Sequence, residues 1–358
     1  MGKKIRMGVI GCGNISAYHI QSSMESPDME VGALCDPVPA KLEEKAKRFG
    51  IPAEKCYSDY IEMMESGRVD AVSICVPNRL HFQVAMEAVQ RGFPYALEKP
   101  VCDNEEQAKL LMEETGKKGL PNMVCFSYRF INAARYGRYL IRSGQLGAIY
   151  HINAEYFQGW GLPDAVNGKP VALSWRLTKK NSVTGALGDL GSHMIDLSRF
   201  MTGKEFTRVT ADMDTFLHER PLPEGGKYGI VDVDDYVNII GQMEGPIAAN
   251  LSITRFAYSR GNYQRVEVYG EKGAIRYSIE DSDHRLEVNM GNWPTRAGRI
   301  WSDVPIPAEY NSNQLQSFAD IVNGRGDGLA ADISDGWKSQ QVIDRALVAA
   351  ESGVRQNI

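Results

Sequence analysis

The chain has 358 residues, 43% hydrophobic and 24% charged, the proportions of an ordinary globular protein and too apolar for intrinsic disorder. At ~100–200 residues per domain, that length predicts two domains or three. Lys plus Arg is 40 against 45 for Asp plus Glu, a formal charge of −5 without the basic stripe of a nucleic-acid protein. The densest basic run, Lys41-Leu42-Glu43-Glu44-Lys45-Ala46-Lys47-Arg48, is interleaved with acids and reads as a solvated helix face. No stretch approaches the ~18 apolar residues of a membrane span. The basic start meets Gly11 and Gly13 too early for a signal-peptide core, so a cytoplasmic protein is expected.

In the first 130 residues, apolar runs at 5–10, 31–35, 71–76, 95–97 and 123–126 alternate with helical patterns at 14–25, 39–49, 60–66, 80–91 and 105–118. Strand–helix repetition of this kind predicts a parallel sheet wrapped by helices. The continuous run Ala71-Val72-Ser73-Ile74-Cys75-Val76 fits a strand covered on both faces. Afterwards the pattern changes. A helix at 133–143, a strand at 149–157, a Gly/Pro-rich loop at 159–170 and a helix at 186–201 precede strand candidates at 208–215, 235–243, 248–255, 264–269, 274–279 and 285–290. Short turns between them predict a mostly antiparallel sheet. Helices at 313–322 and 333–352 close the chain. The expected fold is α/β: a doubly wound dinucleotide-binding domain over 1–125 and an α+β substrate-binding and oligomerisation domain with a large open sheet over 126–358, its C-terminal helices free to pack back on the first domain.

The six cysteines, Cys12, Cys35, Cys56, Cys75, Cys102 and Cys125, include no pair within three residues. That excludes a zinc knuckle and a redox C-x-x-C, leaving structural thiols. No metal is expected.

The first strand runs into Gly11-Cys12-Gly13-Asn14-Ile15-Ser16, and Asp36 stands twenty residues beyond Ser16 at the end of the second strand. Gly11 permits a tight turn, Gly13 lets backbone approach a pyrophosphate, and Ser16 allows close helix–strand packing. The helix start at Asn14 and Ile15 supplies N–H groups for phosphate. Asp36 accepts from a ribose and repels a 2′-phosphate, which favours NAD while leaving NADP open. Two further strand ends, Pro77-Asn78-Arg79-Leu80-His81 and Glu98-Lys99-Pro100, fall on the carboxyl edge of the sheet, where ligands of such folds gather.

In the second half, Gly185-Ala186-Leu187-Gly188-Asp189-Leu190-Gly191-Ser192-His193 puts Asp189 and His193 four residues apart, on one helix face. Three glycines at intervals of three imply something bulky against the backbone, a nicotinamide or a substrate. Asp196 reads as surface charge. The histidines His19, His151, His218 and His284 have no comparable neighbourhood.

Together, the glycine turn, Glu98-Lys99-Pro100 and Gly188-Asp189-Leu190-Gly191-Ser192-His193 resemble the Gfo/Idh/MocA family over essentially the whole chain. The resemblance implies a Rossmann domain and an open-sheet domain that pairs subunits, giving a homodimer or homotetramer. It implies NAD(P)-dependent oxidation of a ring hydroxyl of a sugar or cyclitol. Lys99, Asp189 and His193 match the family's catalytic trio, and Pro77, Asn78, His81 and Glu98 match segments beside the cofactor. In that scheme His193 is the base, Asp189 orients the substrate or the imidazole, and Lys99 holds the reacting oxygen. Ser174-Trp175-Arg176-Leu177 is similar to the pyranoside-oxidising branch (levoglucosan and glucoside 3-dehydrogenase types). Tyr156, Trp160, Trp175 and Arg176 are the expected sugar-facing residues. Ser182-Val183-Thr184-Gly185 departs from the consecutive glycines of many relatives. Two rival readings stand beside this one: a non-enzymatic NAD-binding sensor on the same fold, and a reductase of non-sugar substrates such as dihydrodiols or imines.

Overall fold

Short apolar strands, each ended by a turn and followed by a helix, build the first part of the computed structural model. It describes residues 4–164, 168–280, 283–290 and 300–358. Residues 1–3 of the basic start and 165–167 of the Gly/Pro-rich loop lie outside the described residues. The chain forms two units, Met1–Ser127 with Ser312–Trp337, and Tyr128–Asn311 with Lys338–Ile358.

In the first unit, strands β1 (Ile5–Ile10), β2 (Met29–Cys35), β3 (Cys56–Tyr57), β4 (Ala71–Ile74), β5 (Tyr95–Leu97) and β6 (Asn122–Val124) form one sheet. Its order is β3-β2-β1-β4-β5-β6, and every pairing is parallel. Helices α1 (Ser16–Glu25), α2 (Pro39–Phe49), α3 (Tyr60–Glu65), α4 (His81–Arg91) and α5 (Glu105–Lys118) connect the strands. All four residues of β4 are buried, as a doubly covered strand requires. Local chemistry sets the helix ends. In α5, Asn104 Oδ1 accepts from Gln107 N at 2.9 Å, acids fill the first turn and lysines the last. The later helix Gln314–Val322 belongs to this unit, tied by Gln316 to Ser26 and Asp28.

The second unit is built on a nine-stranded sheet. Its strands are β7 (Ile149–Phe157), β8 (Phe206–Asp214), β11 (Tyr236–Met243), β12 (Ile247–Thr254), β13 (Tyr263–Gly270), β14 (Ala274–Glu280), β15 (Asp283–Asn289), β16 (Ser302–Asp303) and β17 (Gln356–Asn357). The order is β16-β15-β14-β13-β7-β12-β11-β8-β17, and β9 (Glu219–Pro221) pairs separately with β10 (Tyr228–Ile230). Only β7 with β12 runs parallel; the other pairs are antiparallel. Alternation in β12 buries Ile247, Ala249, Leu251 and Ile253 on one face and leaves Ala248 and Asn250 exposed on the other. Helices α6 (Asn132–Arg142) and α8 (Ser192–Thr202) pack on the buried side, after the short α7 (Lys179–Ser182).

The expected α/β architecture holds, and the differences have local causes. The second-half helix does not start as a regular α-helix. It opens with a π-helical turn, Leu187–Gly191, before α8. Strands β3, β9, β10, β16 and β17 have two or three residues each, too few for an alternating pattern to show. Asp196 is not surface charge. It is 1% exposed, and both carboxylate oxygens take Arg129 nitrogens, at 2.8 and 2.6 Å. All six cysteines are free, and only Cys56 is not buried. No helix among the described residues is long and apolar enough to cross a membrane.

Every residue of α8 is buried, and the Asp196 carboxylate within it is bonded by Arg129 at 2.6 Å, with Arg199 farther off at 3.8 Å. Removing one member of a buried pair typically costs 3–5 kcal/mol, because the other charge remains desolvated. Arg129→Met is expected to lower the unfolding free energy by about 3 kcal/mol or more. Urea unfolding of variant against wild type measures it, and a loss under about 1 kcal/mol would contradict this account.

Candidate active site

The first unit presents a cradle at the carboxyl edge of its sheet. Gly11 has φ +93°, and a Cβ there would sit 2.6 Å from the Cys75 carbonyl oxygen, just past β4. Only glycine fits that turn. At Gly13 nothing among the described residues lies within 4 Å of the Cβ position. Asn14 and Ile15 are exposed. Ser16 Oγ donates to the Gly13 carbonyl at 2.6 Å, which fixes the entry into α1, and no side chain caps that helix. Ala17 and Tyr18 N–H bond back to the Asn14 and Ile15 carbonyls, so the groups offered to an anion are the N–H groups of the turn ahead of them together with the positive end of the helix dipole, an arrangement that takes phosphate. Asp36 is 7% exposed and accepts from Cys12 N and Val38 N, each at 2.8 Å. Its carboxylate braces the turn and keeps lone pairs for ribose hydroxyls. These residues fit a dinucleotide.

Beyond β4, Pro77 is exposed and Asn78 buried at the start of a short turn. His81 is 1% exposed with both ring nitrogens on backbone carbonyls, Pro100 at 2.7 Å and Val76 at 2.9 Å. Its side chain braces two loops of the cradle. Lys99 follows β5, half-buried, with a cis peptide to Pro100. Glu98 does not point outward. Its Oε1 meets His19 Nε2 at 3.0 Å, and its Oε2 accepts from Lys99 N at 3.3 Å. His19, set aside by the sequence reading, is fully buried on α1, with Nδ1 2.6 Å from Ser73 Oγ in β4. Cys125 Sγ lies nearby, the three donor atoms within 4.8 Å of one another. Burial works against the imidazolium, but the Cys75 sulfur and the Glu98 carboxylate outweigh it and push its pKa up to about 10. Burial likewise opposes the Glu98 carboxylate, yet the His19 hydrogen bond and charge hold its pKa below the usual range. The pair ties the helix of the glycine turn to the strand end that carries Lys99.

The second unit gathers the other candidates. The chain enters the π-helical turn at Gly185, whose absent side chain is explained by Asp234 rather than by a ligand: a Cβ would collide with the Asp234 backbone. Asp234 Oδ1 accepts from Gly185 N at 2.5 Å and Oδ2 from Leu187 N at 2.7 Å, while its carbonyl takes Ala186 N at 2.9 Å. This buried acid satisfies the helix start and sets the register of Asp189 and His193. The Asp189 carboxylate lies between two guanidinium groups, Arg255 Nη2 at 3.7 Å and Arg176 Nε at 3.9 Å. Arg176 also covers the Trp175 ring at 4.3 Å. His193 is 7% exposed and meets the edge of the Tyr128 ring, centroids 4.6 Å apart.

From His193 a row of neutral groups runs outward. Tyr128 OH and Tyr156 OH are 2.6 Å apart, and both donate to Asn262 Oδ1, at 3.2 and 2.7 Å. Gln158 Nε2 donates to Tyr156 OH at 3.1 Å, and Trp160 Nε1 donates to Gln158 Oε1 at 2.8 Å. Burial pushes both phenols upward, so they stay protonated. Trp160 also packs against a small cluster of Leu177, Val231 and Val233. Tyr128, Asn262, Gln158, Arg255, Asp234 and His19 were not singled out from sequence. Only Gln158, inside the aromatic run Tyr156–Trp160, carried a signal, whereas the rest come from distant segments.

A parallel sheet with this glycine turn in one unit, and a mixed sheet that carries an Asp/His helix in the other, are the two parts of a dinucleotide-dependent oxidoreductase. Residues 5–126 match the oxidoreductase family with an NAD-binding Rossmann fold, and residues 135–276 match the GFO/IDH/MocA C-terminal domain. The chain belongs to that oxidoreductase family. It is 31% identical to levoglucosan dehydrogenase of Pseudarthrobacter phenanthrenivorans, covering 99% of this chain and 97% of that one. It is 26% identical to inositol 2-dehydrogenase of Rhizobium meliloti, covering 91% and 93%. A solved levoglucosan dehydrogenase in complex with NADH and L-sorbose superposes with a TM-score of 0.89 at 27% identity, covering 100% of this chain and 99% of that one.

The His19–Glu98 pair generates a pH test. A raised imidazole pKa contributes stability fully below the ordinary value of 6.5 and loses it as pH climbs toward about 10. A lowered carboxyl pKa contributes above its ordinary 4.5 and loses it as pH falls. In the double variant His19→Gln, Glu98→Gln neither group titrates. The stability gap to wild type is expected to be widest near pH 5–6 and to narrow steadily by pH 9, read by thermal unfolding across pH. A gap that is flat with pH would show the pair to be uncharged.

Proposed function

We propose that the chain is an NAD-dependent dehydrogenase of a secondary ring hydroxyl, or its ketone, on a sugar, pyranoside or cyclitol, acting in the cytoplasm. NAD would supply the hydride acceptor at nicotinamide C4. Gly11, Gly13, Asn14 and Ile15 hold its phosphates on backbone N–H groups, and Asp36 takes the adenosine ribose. The buried Asp36 charge disfavours a 2′-phosphate, so NADP is the poorer ligand. Pro77, Asn78, His81 and Glu98 shape the edge of the cradle.

His193 takes the hydroxyl proton as the carbinol carbon gives up its hydride. Asp189 orients the reacting group, and Lys99 donates a hydrogen bond to the oxygen as negative charge develops there. Tyr156, Trp160, Trp175 and Arg176 face the sugar, joined by Tyr128, Gln158 and Asn262. One observation carries this reading: His193 stands at the end of a hydrogen-bonded row of neutral Tyr, Asn, Gln and Trp groups. Such a surface matches the polar edges and apolar C–H faces of a polyol ring. It also supports sugar oxidation over a reductase of apolar non-sugars.

Absorbance at 340 nm is expected to rise as NADH forms from NAD on pyranosides or cyclitols, and more slowly as NADPH forms from NADP. A general base is worth 10²–10⁴-fold. His193→Asn is therefore expected to lower kcat by about 10²–10⁴-fold while NADH still binds, followed by its fluorescence. Near-normal turnover in that variant would remove His193 from the base role. Silence on every polyol despite NADH binding would favour a sensor.

The family resemblance also supports a homodimer or homotetramer paired through the open face of the nine-stranded sheet. Ile240 on β11 is 63% exposed there, and Asn250 on β12 bonds His151 and Asn153 across the same face, at 3.1 and 3.2 Å. Ile240→Glu is expected to shift the mass from light scattering toward the monomer. An unchanged oligomer would place the interface elsewhere.

A further inference from the structure

The second unit holds an open cavity of about 720 Å3 that shares only Trp160 with the row beside His193. By volume it has room for roughly two dozen liquid-like waters, far more than one pyranose ring needs. Two loops enclose it, one after β7 and one after β12. Their backbones are zipped together: Gly159 N donates to Arg260 O at 2.7 Å, Gly161 N to Arg255 O at 2.9 Å and Ala257 N to Gln158 O at 2.9 Å. Both glycines are required, since a Cβ on Gly159 would lie 2.6 Å from the Ala257 carbonyl oxygen and one on Gly161 2.8 Å from that of Arg255. The loops therefore hold a fixed shape.

The side chains with large apolar surface in the walls are Trp160, Leu162, Pro163 and Tyr258, and Tyr258 at the rim is 87% exposed. Asp164, Ser259 and Arg260 complete the side-chain lining; Asp164 is exposed, and Arg260 pairs with Glu280 and lies over the Tyr263 ring at 4.1 Å. An anionic group would have to compete with Glu280 for it.

Trp160 joins this cavity to the reacting groups in two ways. Its Nε1 ends the row that starts at His193. Its ring also carries Arg255 at 4.9 Å, and Arg255 reaches Asp189 at 3.7 Å. A pyranose held along that row would bring a far substituent toward Trp160, the side chain that the row shares with the cavity.

We infer that the cavity is a subsite for a second, flat ring, so that the substrate is a glycoside with an aromatic aglycone. This rests on the dehydrogenase reading above and narrows its substrate class. Burying an aromatic ring against Trp160, Leu162 and Pro163 adds apolar contact and ring stacking that a methyl glycoside lacks.

The test uses the full chain with NAD and matched methyl and phenyl glycosides of one pyranose. The phenyl glycoside is expected to exceed the methyl glycoside in kcat/KM by about tenfold or more. Tyr258→Ala, at a site exposed enough to leave folding intact, is expected to bring that ratio below about threefold. A wild-type ratio near one, or a ratio unmoved by Tyr258→Ala, overturns the subsite and leaves the dehydrogenase reading standing. Should neither glycoside turn over, calorimetry with phenyl glycoside on the NADH-loaded enzyme decides. Binding weakened by Tyr258→Ala keeps the subsite while the dehydrogenase reading fails, and no binding ends both.

Discussion

One buried carboxylate organises the second unit. A helix start leaves backbone N–H groups without partners, and inside a protein each must find an acceptor. Asp234 supplies three acceptors at once, two carboxylate oxygens and its own carbonyl, to Gly185, Leu187 and Ala186. Its burial pushes the acid's pKa up, so the arrangement depends on those N–H groups and on the Arg255 charge. Next to it Asp235 turns the other way and accepts from Phe216 and Leu217 N–H at the end of β8, while its carbonyl takes Arg255 N. Two adjacent acids thus pin the helix entry, the neighbouring loop and the arginine beside Asp189. The π-helical turn that follows sets the rotation at which Asp189 and His193 leave the helix, a use typical of such turns at working sites.

The first unit treats the same problem in the opposite way. Helix α1 begins with no side-chain cap, and the carboxylate nearest the turn, Asp36, is spent on Cys12 and Val38. The turn is held rigid from below while its own N–H groups, ahead of the bonded Ala17 and Tyr18, stay available. An internally capped helix presents side chains for chemistry; an uncapped one presents backbone for an anion. The two strategies divide the labour between positioning reacting groups and holding a dinucleotide.

Local regularity explains which features were legible. Strand and helix periods are properties of neighbouring residues, so β1, β5, β7, α2 and α5 could be read to within a residue. The glycine turn is equally legible because its motif is one contiguous run after β1, although the carbonyl that demands glycine at position 11 belongs to Cys75, past β4. Asp234 is different: nothing near Gly185 announces a partner 49 positions later. Asp196 looks like an exposed acid one turn past His193 because Arg129, 67 residues earlier, is invisible to a helical wheel. His19 shares the buried face of α1 with Ser16, Ile20, Ser22 and Ser23, and only the fold brings Ser73 and Glu98 to its two nitrogens. Tyr128 lies in a single 3-10 turn with no period at all. What escaped the sequence reading was long-range polar pairing, which has no repeat to detect.

The character of those pairings bears on selectivity. Around His193 the groups that line the row are phenols, amides and an indole, all uncharged, with both phenols held protonated by burial. Each is already bonded to its neighbour, so a ring hydroxyl added to the row extends a network whose groups polarise one another. A site built to hydrogen-bond hydroxyls rejects an analogue without them more strongly than an apolar pocket rejects an extra one, because its buried polar atoms lose their partners. The charged residues stand behind this surface: Arg255 is fully buried and Asp189 lies between it and Arg176. Charge thus serves to fix the Asp189 carboxylate, while the row beside His193 consists of neutral donors and acceptors, the kind of surface that can distinguish one hydroxyl pattern from another.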